Sequence, residues 1–207
     1  MMKKIIDYLD CLFPNPKPEL LYNNDFEFLI AVVLSAQSTD KKVNKVTKVL
    51  FEKYDINSLK DANIDDIINI IKPLGMSKKK AYYIIEISKD IINKYNNKIP
   101  NNRDELMTMS GVGRKTANVV LAQLYNKPYI GVDTHINRVS KRLGLAKEQD
   151  TVLIIEEKLY RVFPKELYSR LHLQMVLFGR YYCKAHNPQC NECKLKDICK
   201  YYEKKDK

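Results

Sequence analysis

Apolar positions recur along this chain at helical spacing, and no stretch alternates as a strand requires. Phe28, Leu29, Val32, Val33 and Gln37 fit one face of a buried helix. Thr39 or Asp40 is placed to cap the next, which carries Val43, Val46, Val49 and Leu50. Ile64, Ile67, Ile68, Ile70 and Ile71 predict another, stopped at Pro73-Leu74-Gly75. Ser77 is a candidate cap for a long helix with Ala81, Ile84, Ile85, Ile87, Ile91, Ile92 and Tyr95 on one side. Asn101-Asn102 precede a short helix over 103–108, and further helices are predicted over 115–125, 134–143, 151–163 and 166–182. The fold class read from this pattern is all-α.

With 207 residues the chain is long enough for one large domain or two modest lobes around a core. An apolar content of 45% makes it globular rather than disordered. The net charge of +11 points to a polyanionic partner; a merely soluble basic surface is the plainer explanation. The longest apolar run, Phe28 to Leu34, is too short to span a bilayer, and Asp7 interrupts the only stretch resembling a signal peptide. A cytoplasmic protein without membrane partners is therefore expected. In that compartment thiols stay reduced. Four of the five cysteines lie close together in the spacing C-x6-C-x2-C-x5-C and read as metal ligands, not disulfides. Cys11 stands apart in an apolar segment and reads as a small core residue.

The chemistry concentrates in three places. Ser110-Gly111-Val112-Gly113-Arg114-Lys115-Thr116-Ala117 sets a Gly-Val-Gly turn between two helical patterns. Gly111 and Gly113 permit turn conformations closed to other residues, and the first amides of the following helix would point at a phosphate. Taken alone, the same residues also describe an ordinary helix–helix turn. Lys115 falls in the first turn of that helix, after Arg114. Burial, a neighbouring cation and a positive helix end would each favour the neutral, nucleophilic amine; a charged phosphate-binding lysine is the equal alternative. Asp133, within Val132-Asp133-Thr134-His135, is placed as a helix cap, and its carboxylate could also steady a cationic sugar. His135 reads as a local hydrogen-bonding or packing residue. Cys183, Cys190, Cys193 and Cys199 supply four thiols in one loop, as either an iron–sulfur cubane or structural zinc requires; spacing does not choose between them. Lys184, Lys194, Lys196 and Lys200 surround the site and could touch phosphate or only water.

These pieces, in this order, resemble the endonuclease III family of DNA glycosylases almost end to end. The resemblance is carried by 34–40 (Leu-Ser-Ala-Gln-Ser-Thr-Asp), by 111–120 of the hairpin, by 132–135, by Gly179-Arg180-Tyr181 and by the cysteine spacing. It implies a helix-hairpin-helix glycosylase fold of two helical lobes with duplex DNA bound at the cleft between them. Residues 20–127 would form one lobe, with the hairpin at about 103–122. Residues 1–19 with 128–207 would form the cluster lobe, whose loop is 183–199. It further implies a [4Fe-4S] cluster on Cys183, Cys190, Cys193 and Cys199, a nucleophilic Lys115 and an essential Asp133. Gln37 and Met76 would enter the duplex where the damaged nucleotide leaves it, and Gly111, Gly113, Arg114 and Thr116 would hold backbone. Met76, Ser77 and Ser110 depart from the family's usual leucine, tyrosine and proline, and methionine keeps the apolar character of a wedge. Adenine glycosylases differ in carrying a catalytic glutamate where Ala31 stands and in a further C-terminal domain, for which nothing is expected after Lys207. Oxoguanine glycosylases lack the cysteine set.

The activity so implied is base-excision repair, acting as a monomer near the nucleoid. Oxidised pyrimidines would be removed from duplex DNA, and the strand cut 3′ to the abasic site by β-elimination through a lysine Schiff base. A non-catalytic iron–sulfur damage-binding protein would keep the hairpin and cluster without needing both Lys115 and Asp133. An iron–sulfur electron carrier explains the cysteines but not the hairpin.

Overall fold

The computed structural model describes residues 1–205, and among them every regular element is helical. By chain contacts the protein divides into two compact units, one of Met1–Lys17 with Asn126–Lys207 and one of Pro18–Tyr125.

Helix α1, Met2–Leu12, belongs to the discontinuous unit. The continuous unit holds α2 (Asp25–Leu34), α3 (Asp40–Lys53), α4 (Ile56–Lys60), α5 (Ile64–Ile71), α6 (Ser77–Tyr95), α7 (Arg103–Thr108) and α8 (Arg114–Tyr125). Its centre is α2, buried on every side from Phe28 to Leu34 and packed by α3, α6 and α8. Each fully buried Leu or Ile there stabilises the unit by about 1.5–3 kcal/mol relative to exposure. Asn24, Thr39, Asp55 and Asn102 accept amide hydrogen bonds at the starts of α2, α3, α4 and α7, so local chemistry fixes where those helices begin.

Two expectations are corrected here. Gln37 is not part of a buried helix: α2 stops at Leu34, and Gln37 is exposed in a turn at φ +56°. The apolar pattern continues past the point where the backbone leaves the helix. Ser77 does not cap α6 but is its first residue; Met76 precedes it in the left-handed region with no side-chain cap. Helices α1 and α4, and the C-terminal helix Lys200–Lys205, are additions to the sequence reading.

The other unit continues with α9 (Thr134–Arg142), α10 (Val152–Val162), α11 (Tyr168–Tyr181) and α12 (Lys200–Lys205). Ile5, Leu9, Ile136, Val139, Leu159, Leu171, Met175 and Phe178 form its core. Helices α9 and α11 pack closely at Gly179, where an added Cβ would stand 2.8 Å from the His135 Cβ. His135 thus has the local packing role expected, with its Nδ1 3.2 Å from Arg138 Nη2. No helix among the described residues is long and apolar enough to cross a membrane.

Candidate functional site

In the continuous unit, α7 and α8 are joined by the turn 109–113, making the hairpin. Gly111 has φ +76°, and the direction a Cβ would take from it faces the ring of Tyr83 on α6. The Gly113 carbonyl accepts from the Ala117 amide at 2.9 Å, which starts α8. Gly113 is exposed, and a Cβ added there would meet nothing within 4 Å. The outer face of the turn is therefore bare backbone leading into a helix N-terminus, an arrangement that suits an anion.

Lys115 lies in the first turn of α8 and is exposed, beside a half-buried Arg114 and Thr116. The expectation that burial helps make the Lys115 amine reactive is not met. The N-terminus of α8, in whose first turn it lies, contributes positive potential there.

Gln37 and Met76 occupy two further turns of the same unit, both exposed and both left-handed, at φ +56° and +48°. Side chains that bulky seldom adopt that region. The Ser38 hydroxyl donates to the Leu74 carbonyl at 2.7 Å and ties the two turns together.

In the discontinuous unit, Asp133 caps α9: its Oδ1 accepts from the Ile136 amide at 2.8 Å. The cap occupies one carboxylate oxygen and leaves Oδ2 outside it. Asp133 is half-buried.

Cys183, Cys190, Cys193 and Cys199 are all free thiols and line a single pocket, walled also by Leu143, Phe178, Tyr182 and Pro188. No three His, Cys, Asp or Glu side chains among the described residues converge as a site for one metal ion; the thiols stand around the pocket wall instead. Burial pushes the Cys183 and Cys193 thiols up, opposed at Cys183 chiefly by Arg142. Four half-buried sulfurs in an apolar-walled pocket are a donor set suited to a soft, polynuclear iron–sulfur group. Cys11, expected in the core, is exposed; the apolar residues around it mark one face of α1, and Cys11 falls on the other.

Two arginines of α9 that the sequence reading passed over hold this loop. Arg142 donates from Nη1 to the Cys183 Sγ at 3.4 Å and to the Lys184 carbonyl at 2.6 Å, and from Nη2 to the Ala185 carbonyl at 3.1 Å. Its guanidinium lies 4.2 Å from the Tyr201 ring centroid. Arg138 donates to the carbonyls of Cys183 and Gly179 at 3.0 and 2.6 Å. Their i, i+4 spacing on one helix face was the signal available in the sequence. Lys184, Lys194, Lys196 and Lys200 are exposed around the loop.

Residues 30–165 match the model of the HhH-GPD superfamily base excision DNA repair protein. The chain is 45% identical to Endonuclease III of Bacillus subtilis (strain 168) over 203 residues, covering 98% of this chain and 93% of that protein. It is 46% identical to Endonuclease III of Haemophilus influenzae over 192 residues, 92% of this chain and 90% of that one. A solved structure of a trapped Endonuclease III–DNA covalent intermediate superposes with TM-score 0.95 at 44% identity, covering 100% of this chain and 99% of that chain. A non-covalent Endonuclease III–DNA complex does so with TM-score 0.95 at 45% identity, covering 100% and 98%. A thermostable thymine-DNA glycosylase, 23% identical with TM-score 0.88 and coverage of 98% and 97%, shares the fold.

Proposed function

The chain belongs to the HhH-GPD superfamily and within it to the endonuclease III family, and from that membership we propose which of its residues perform the repair reaction and on what substrate. It is a base-excision-repair DNA glycosylase and abasic-site lyase. The substrates are duplexes carrying oxidised pyrimidines or abasic sites. A base that has lost aromaticity stacks poorly, so extruding it costs less than the few kcal/mol that flipping normally takes.

Lys115 is the nucleophile. Its amine forms a bond to the sugar C1′ as the base departs with the electrons of the glycosidic bond. The amine gives up a proton and the C1′–O4′ bond opens, O4′ taking its electrons and a proton, to leave a Schiff base whose iminium acidifies the C2′ proton. Loss of that proton expels the 3′ phosphate and cuts the strand. The observation that carries this reading is an exposed lysine one residue past the first position of α8, at the exit of a bare glycine turn. A relative 44% identical that was captured covalently bound to DNA fits an amine nucleophile.

Asp133 supplies the negative charge that steadies the developing sugar cation, through the oxygen its capping bond does not use. Gly111, Gly113, Arg114 and Thr116 hold the phosphate backbone, contacts that position without reading sequence. Gln37 and Met76 fill the space that the extruded nucleotide leaves. Cys183, Cys190, Cys193 and Cys199 hold a [4Fe-4S] cluster, which when bound fixes the loop and adds local charge. A protein that acts on chromosomal DNA would work in the cytoplasm, at the nucleoid. A non-catalytic damage-binding protein is the weaker reading, because it leaves Lys115 and Asp133 without a joint role.

Borohydride reduction on a duplex with one abasic site is the direct test. A protein–DNA adduct that forms with the parent and disappears with Lys115→Gln is expected. An undiminished adduct in that variant removes Lys115 from the mechanism.

A further inference from the structure

Lys80 ends the run Lys78-Lys79-Lys80 in the first turn of α6. Lys78 and Lys79 are exposed, but Lys80 is only 2% exposed and is among the largest fully buried side chains of the protein. Its ammonium donates to the Ala36 carbonyl at 2.8 Å, to the Leu74 carbonyl at 3.0 Å and to the Ser38 hydroxyl at 3.4 Å. An ammonium has three donors, so these three acceptors satisfy it, and none of them carries charge. Burial accordingly pulls the amine below the ordinary lysine range.

A buried cation held only by neutral groups is an expensive way to fill space, and methionine would occupy a similar volume without the desolvation cost. What the charge contributes is direction. Ala36 immediately precedes Gln37, and Leu74 stands one glycine before Met76. Both loops turn through the left-handed region at those points, with Gln37 at φ +56°, Gly75 at +70° and Met76 at +48°. Backbone held in that region persists only where its surroundings over-determine it. The Lys80 ammonium lies beneath both turns and grips the carbonyl entering each.

We infer that Lys80 is a positioning residue for DNA engagement, its ammonium locking the turns at 35–38 and 74–76 into one unit that presents Gln37 and Met76 together. The inference rests on the assignment of Gln37 and Met76 as duplex-inserting residues made above. It predicts that the contribution of Lys80 to DNA affinity passes through those two side chains.

The test is a mutant cycle read on a duplex carrying a tetrahydrofuran abasic analogue. Lys80→Met is made in the parent and in a Gln37→Ala/Met76→Ala background, and thermal unfolding of all four proteins is followed alongside. Lys80→Met should weaken binding about tenfold in the parent and less than about twofold in the double-alanine background, a non-additivity expected of residues acting as a unit. The loss of thermal stability should be the same in both backgrounds. Equal weakening of DNA binding in the two backgrounds, or none in either, overturns the inference. If Gln37→Ala/Met76→Ala itself leaves the affinity unchanged, the assignment of those two residues is what fails. Should Lys80→Met not fold, Ser38→Ala carries the same cycle, since it removes both the Ser38–Leu74 bond and one acceptor of the ammonium. The same pattern of weakening is then required.

Discussion

Gly111→Ala separates the architecture of the hairpin from its use. Two costs arise at this position. The alanine must sit at φ +76°, which for an L residue costs roughly 1–2 kcal/mol. Its methyl carbon would lie 2.3 Å from Tyr83 Cδ2 and 2.7 Å from Cγ, closer than any contact a real Cβ makes, so the ring must swing away. Tyr83 is half-buried on α6 with the Lys79 ammonium 5.7 Å from its ring centroid, and displacing it is an overpacking event of about 1–3 kcal/mol. Together the variant should lose about 2–5 kcal/mol, a fall in melting temperature of roughly 5–15 °C for a chain of this size. Gly113→Ala is the control. Nothing lies within 4 Å of its added Cβ and its φ is not positive, so its stability should stay within about 0.5 kcal/mol of the parent. If backbone at Gly113 approaches a phosphate, however, Gly113→Ala should weaken binding to an abasic-analogue duplex. Tyr83→Ala in the Gly111→Ala background should restore the steric part of the loss and not the conformational part. Circular-dichroism melting of these proteins and titration of a labelled duplex give both readouts. A Gly111→Ala protein melting within about 2 °C of the parent would refute the reasoning from ring contact and backbone region.

Asp133→Asn retains an oxygen for the Ile136 amide, so stability should change by less than about 1 kcal/mol, while single-turnover base excision should fall at least roughly a hundredfold; near-normal excision would reduce Asp133 to a cap. Lys115→Gln should bind the abasic-analogue duplex like the parent in gel-shift titration yet leave a duplex with a natural abasic site un-nicked; parental nicking of that site would contradict its role. Serine at Cys183, Cys190, Cys193 or Cys199 should abolish the yellow-brown colour and the roughly four iron per chain expected of the intact site, whereas Cys11→Ser should leave both unchanged. Colourless, fully active anaerobic protein with stoichiometric zinc would overturn the cluster assignment.

What the sequence made legible is mostly local. Thr39 and Asp133 each cap the helix expected of them, because a cap is written in the few residues that make it. The hairpin and the cysteine spacing are local as well. Residues whose roles depend on distant chain were missed or misjudged. Lys80 was passed over: its neighbours Lys78 and Lys79 are exposed, and only the approach of the turns at 35–38 and 74–76 buries it. Gln37 kept the apolar rhythm of α2 after the backbone had left the helix. The spacing of Arg138 and Arg142 marks a shared helix face, but the loop they act on lies more than forty positions away.

The way Arg142 grips that loop bears on how the protein can change over generations. Beyond Cys183, its partners at positions 184 and 185 are main-chain carbonyls, present whatever side chain stands there. Even proline would keep the acceptor. Selection can therefore relax at those two positions, letting charge and size drift with each lineage, while the arginine that reads their backbone has no substitute with the same planar, multi-donor reach. Natural variants of this protein should accumulate at 184 and 185 and be rare at 142.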